Sequence, residues 1–171
     1  MVDSLCPERL AEDAVYLGVL TSRGLKPLSR LEYPVECSIV DILSDLGLVV
    51  ASLTRIARNG TQACHLILGR DANLIDRYRA DFDGRLLRGE TPGVVRLEAC
   101  YFGYPACCAE AYINAPHAPN DLACEDQALL FHRACPGCAV TPNLIPLYGA
   151  ALAEAKTLLL ERRQSLILIR K

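Results

Sequence analysis

Leu48–Gly69, LVVASLTRIARNGTQACHLILG, decides the fold class. Asn59-Gly60 is the strongest hairpin signal in the chain, because both residue types accept the positive φ angles that a two-residue turn requires. The flanks are β-branched and alternating, so Leu48–Ile56 reads as one strand and Thr61–Leu68 as its return, closed by Gly69. A hairpin set among segments of helical periodicity predicts an α+β fold: a small antiparallel sheet with several packed helices and a Cys-rich helical and loop region.

Helical patterns flank the hairpin on both sides. Ser4 is placed to cap a helix over Pro7–Ser22, whose face Leu10, Ala14, Leu17 and Leu20 continue until Gly24. Lys26-Pro27 and Tyr33-Pro34 then mark an extended connection, and a helix over Ile39–Leu46 is ended by Gly47. After the hairpin, Asp71 caps a helix over Ala72–Phe82 with Leu74, Ile75 and Tyr78 on one face, and Asp83-Gly84 stops it. Arg85–Glu98 reads as a segment broken by Gly and Pro. Asp121 is expected to cap a helix running to His132, and Asn143–Gln164 reads as a long amphipathic helix with Leu147, Ala151, Ala155, Leu158 and Leu159 inward. Ser165–Ile169 can continue that helix or form a last strand. With 171 residues, no internal repeat and no linker, the whole chain 1–171 is expected to be one domain.

Composition excludes several classes. A hydrophobic fraction of 51% and a charged fraction of 22% belong to a folded globular chain and not to a disordered one. The net charge of −2 gives no electrostatic footprint for nucleic acid, although eight arginines between Arg55 and Arg96 can form a local basic face. Asp3 and Glu8 interrupt the N-terminus, so no secretory signal is read there, and no segment has the length of a membrane span. The expectation is a cytoplasmic protein without a membrane partner. In that compartment thiols stay reduced, and clustered cysteines signal metal binding or catalysis instead of disulfides.

The clustered cysteines lie in Tyr101–Pro142, which holds five of the nine cysteines and two of the three histidines. Cys135-Pro136-Gly137-Cys138 has a spacing at which two sulfurs face one ion, with Pro and Gly curling the backbone round it. His132, three residues earlier, comes close to both sulfurs if a helix ends near Ala134. The fourth ligand is expected from Cys108, with Cys107 as its substitute, because a thiol at a helix N-terminus is biased toward thiolate and only one of two adjacent cysteines usually faces a site. Cys124, Cys100 and His117 are reserves. Cys6, Cys37, Cys64 and Cys100 are expected as lone buried cysteines, and His65 as a histidine of the core or surface.

The string Gly103-Tyr104-Pro105-Ala106-Cys107-Cys108, with Glu110, a helix and the later His132-x-x-Cys135-x-x-Cys138, resembles a prokaryotic, mainly archaeal family known as domain of unknown function 483. The resemblance covers about Phe102–Pro146. It implies that these residues form one site, and it implies no activity.

Three functions remain open on the sequence. The first is a metal-binding protein with zinc or an iron-sulfur cluster on Cys108, His132, Cys135 and Cys138, and, where one coordination position is open, a metalloenzyme using Glu110 or Asp126 for proton transfer. The second is a thiol redox enzyme in which Cys107 or Cys108 attacks and Cys135 or Cys138 resolves. The third is a zinc-stapled binding module for an acidic or RNA partner, with the arginine-rich middle as its contact surface.

Overall fold

The computed structural model describes residues 7–57, 59–86 and 91–169. The readings made above for Ser4, Cys6, Arg58 and Arg88 lie outside them. Within the described residues the chain forms seven helices and a three-stranded antiparallel sheet, an α+β fold. The elements are α1 (Pro7–Ser22), β1 (Leu28–Leu31), α2 (Cys37–Asp45), β2 (Val49–Ile56), β3 (Gln62–Gly69), α3 (Ala72–Phe82), α4 (Pro92–Phe102), α5 (Ala106–Asn114), α6 (Cys124–Ala128) and α7 (Thr141–Ile169).

The hairpin supplies two strands, β2 and β3, with Leu53 opposite His65 and Val49 opposite Gly69. The third is β1, which pairs with β3 from Leu28↔Gly69 to Leu31↔Leu66 and makes β3 the central strand. The stretch between Pro27 and Pro34 is therefore a strand and not merely an extended connection. Prolines at its flanks leave its ladder N–H groups intact.

Each face of the sheet is covered by helices, and the pleat sorts the side chains between two cores. On one face Leu31, Leu48 and Leu68 pack with Ala14, Val15, Val19 and Leu20 of α1, Leu43 of α2, and Tyr148, Ala151 and Ala155 of α7. On the other, Leu28, Leu53 and Ile67 pack with Ile75, Tyr78 and Phe82 of α3 and with Phe102 of α4. Asp71 caps α3 as expected, its carboxylate accepting from the Asn73 amide at 2.9 Å.

Three expectations are corrected. The second half of the segment read as broken by Gly and Pro belongs to α4: Thr91 accepts from the Val94 amide as N-cap, Pro92 takes the first turn, where its missing N–H costs nothing, and Gly103 ends the helix at φ 69°. Asp121 caps no helix. The short α6 begins at Cys124 after Ala123, and the Asp121 carboxylate accepts from the Gly137 amide at 2.8 Å instead. Leu147 points outward at 48% exposure, because the inward stripe of α7 runs through its neighbour Tyr148 with Ala151 and Ala155, which pack against α1. The helical alternative holds for the chain end: α7 runs on to Ile169. No described helix is long and apolar enough to cross a membrane.

Candidate metal centre and the cleft beside it

Two helix N-termini and one turn build the centre. α4 ends at Gly103, and after Tyr104 and Pro105 the chain starts α5, so Cys107 and Cys108 fall in the first turn of a helix. A β-carbon on Gly103 would lie 2.7 Å from Pro27 Cδ, which makes this abrupt reversal a glycine position on two counts. The second ligand segment is the Cys-Pro-Gly-Cys turn. It closes through the Cys138 amide on the Cys135 carbonyl at 3.2 Å, with Gly137 at φ 63°, and leads directly into α7.

The sulfurs of Cys107, Cys108, Cys135 and Cys138 all lie within 4.8 Å of one another and can hold a metal ion. Cys108 Sγ is 3.5 Å and Cys107 Sγ 3.7 Å from Cys138 Sγ. Both members of the Cys107-Cys108 pair are thus in the group, against the expectation that only one would face the site. In the first turn of a helix the Cα–Cβ bonds tilt toward the N-terminus, so consecutive side chains can both reach forward past the helix start.

His132, expected as a ligand, is not part of this group. Leu129–Cys135 is not helical, and the ring turns away to stack on Tyr104, with centroids 5.1 Å apart. Its Nε2 lies 3.3 Å from Thr141 Oγ1, and Thr141 Oγ1 lies 3.2 Å from Cys138 Sγ and 3.6 Å from Cys108 Sγ. His132 therefore touches the sulfurs only through Thr141, a residue the sequence reading passed over. Its signal was its place three residues after Cys138, at the start of α7.

The electrostatics favour negative sulfur. Burial opposes charge on Cys138, but the Thr141 hydroxyl and the Thr141 and Val140 amides donate to its sulfur and hold the thiol down to about 6. The Cys135 amide donates to Cys108 Sγ at 3.4 Å. Burial and the neighbouring thiols push Cys135 up, and burial pushes Cys108 up, so without a cation one thiolate forms easily and the next with difficulty. The positive ends of α5 and α7 both meet this cluster of developing negative charge.

The remaining candidates stand elsewhere. Glu110 forms a two-pronged pair with Arg96 on the exposed surface, at 2.5 and 2.9 Å, linking α5 to α4. Asp126 is half-buried in α6 and belongs neither to the sulfur group nor to the cleft described below. Cys37, Cys64, Cys100 and Cys124 are exposed, so Cys37, Cys64 and Cys100 are not the buried residues expected, and His117 is exposed as well. His65 is buried on β3. Among the described arginines of the middle stretch, Arg55 is buried against Glu98, Arg79 pairs with Asp83, and Arg96 with Glu110.

Beside the sulfurs opens a cleft of about 850 Å³, bounded by α1, β1, α4, α5 and the segment before Cys135. Cys108, a member of the sulfur group, lines it together with His132, Lys26, Phe102, Tyr104 and Phe131. Arg30 and Glu98 also line it, in a shared network: Glu98 Oε1 accepts from Arg30, Tyr78 and Arg55 at 2.5, 3.0 and 3.3 Å. Nothing in the sequence marked Lys26 or Glu98, because their partners lie 76 and up to 68 positions away.

No family model matches the chain, and no curated protein or solved structure matches it.

Proposed function

We propose that this chain is a zinc-binding protein whose four-cysteine centre fixes the start of α5 to the start of α7. The observation that carries the reading is the convergence of four sulfurs within 4.8 Å from two separate segments. A tetrahedral zinc with bonds of about 2.3 Å holds its sulfurs about 3.8 Å apart, close to the 3.5 and 3.7 Å separations here. A single iron would accept the same four thiolates. A multi-iron cluster holds its ligands farther apart, since iron and sulfide lie between them.

Four protein ligands leave no open position, so the centre is a structural staple and not a hydrolytic one. It carries net negative charge once zinc is bound by four thiolates, and the two helix N-termini offset that charge. Thiol exchange uses two cysteines and explains only half of the group. The reading calls for a compartment that keeps thiols reduced, of which the cytoplasm is the default. The resemblance to domain of unknown function 483 supports grouping the same segments and adds no activity.

Elemental analysis and an ultraviolet-visible spectrum of protein purified without oxygen test this, beside a Cys135→Ser, Cys138→Ser double variant. About one zinc per chain, absent from the variant, is the expected result. A brown protein containing iron and sulfide, or a metal-free protein in which Cys107, Cys108, Cys135 and Cys138 titrate freely, would overturn it.

A further inference from the structure

Lys26 is a buried lysine without a counter-charge among the described residues. Its side chain is 1% exposed, and its Nζ donates to the Phe102 carbonyl at 3.0 Å, with no carboxylate at ion-pair distance among the described residues. Three rings surround the nitrogen, Tyr104 at 4.3 Å, Phe102 at 5.7 Å and Phe131 at 5.8 Å from their centroids. A buried ammonium without a counter-charge is costly, whereas an apolar side chain of the same length would fill this space at no such cost. The chain contains three lysines among 18 basic residues, so its usual cation is arginine. Arginine cannot give up its proton, and lysine can.

Lys26 lines a cleft of a volume typical of metabolite sites. Burial brings its pKa down to about 7, so an appreciable share of Lys26 is free amine near neutral pH. A free amine is a nucleophile toward carbonyl carbon. The rings work against the loss of charge, and for the same reason they stabilise the protonated imine that such an attack produces, since its positive charge sits on the same nitrogen. On the side toward the metal group, His132 Nδ1 is buried without a hydrogen-bond partner, a polar atom left over in the wall of the same cleft.

We infer that the cleft binds a small aldehyde or ketone with an apolar body, and that Lys26 condenses with its carbonyl group to form an imine. The nitrogen adds to the carbonyl carbon and a proton passes from nitrogen to oxygen, giving the carbinolamine. The hydroxyl then leaves with the remaining amine proton as water, and the C=N bond forms. No oxidant or reductant is consumed. The Phe102 carbonyl, which accepts from Nζ, orients the nitrogen, and Phe102, Tyr104 and Phe131 receive the apolar body.

The test uses the intact, zinc-replete protein with benzaldehyde as the probe and sodium cyanoborohydride as the trap, followed by peptide mass spectrometry. The three lysines, Lys26, Lys156 and Lys171, are then read separately. At pH 7.5 an amine of pKa near 7 is mostly free base and an ordinary lysine about one part in a thousand, so Lys26 is expected to label at least about tenfold faster than Lys156 even after losses to restricted access. Its labelling should saturate with aldehyde and be slowed by benzyl alcohol, while labelling of Lys156 stays linear and indifferent to the alcohol. Labelling confined to Lys156, Lys171 and the chain's α-amine, or equal and linear at all lysines, would overturn the inference. Zinc content of the same sample is measured alongside, so that a failure here is distinguished from a failure of the metal centre.

Discussion

Replacing Lys26 by Met should stabilise the protein at neutral pH and flatten part of its pH dependence. The unfolded chain binds the Lys26 proton with the ordinary pKa of 10.5, and the folded chain, through burial, with one of about 7. Folding at pH 7 therefore costs about 4 kcal/mol through this one group, from about 3.5 pH units at about 1.4 kcal/mol each, less a few tenths for partial protonation. Met keeps the length of the side chain but forfeits the hydrogen bond to the Phe102 carbonyl and the ring contacts, about 1–3 kcal/mol together. The net expectation is a gain of about 1–3 kcal/mol at pH 7. The sign with pH follows from the depressed pKa. Between about 7 and 10.5 the unfolded state holds more protons, so wild-type stability rises with pH and is lost again as pH falls. The gap between variant and wild type should shrink by about 3 kcal/mol from pH 7 to pH 9.5. Urea unfolding of both proteins at a series of pH values, with zinc in excess, measures it. A gap that stays constant across that range, or a variant less stable than wild type at pH 7, would refute the claim that burial forces this amine toward neutrality.

Glu98→Gln should cost about 2–3 kcal/mol, because Glu98 is 15% exposed and is the anion between Arg30 and Arg55, whose side chains are 16% and 6% exposed. Equilibrium unfolding reads it, and a loss under 1 kcal/mol would show that the network is solvent-screened. Gly103→Ala should cost about 2–4 kcal/mol, adding a left-handed residue to a collision with the Pro27 ring, whereas Gly84→Ala, at φ 67° with nothing within 4 Å, should cost only about 1. Equal losses would mean that Pro27 yields. His132→Ala should leave one metal per chain, and Thr141→Val should keep that stoichiometry while weakening the site about tenfold in a chelator competition, since Thr141 donates to the Cys138 sulfur. Loss of the metal from His132→Ala would return His132 to the ligand set.

The elements that could be read from the chain were those whose cause is local. The Asn59-Gly60 turn needs only Gly60 at φ 82° and the Thr61 amide, which donates to Asn59 Oδ1, and Asp71 needs only the Asn73 amide to start α3. The errors share a different origin, residues whose meaning depends on something distant. Pro92 and Gly93 are breakers in isolation and a helix start when Thr91 caps them. Leu147 and Tyr148 are both apolar, and only the packing of α7 against α1 sets the helix phase that turns Tyr148, Ala151 and Ala155 inward and Leu147 out. The candidate site shows the same division. Sequence supplied the ligand types and the two segments, because thiols at a helix start and in a Cys-Pro-Gly-Cys turn are local facts. It misassigned the histidine because the spacing between His132 and Cys135 points at one site only on a helix, and that segment is not one. Thr141 stands between them and turns a supposed ligand into a neighbour of the ligands. The result is a cleft wall with a sulfur centre behind it and His132 Nδ1 unpartnered in it, while a buried amine stands in the interior of the same cleft. The two proposed chemistries, which no local pattern links, thereby meet at one wall, and separate measurements, zinc for one and imine trapping for the other, can each succeed or fail without deciding the other.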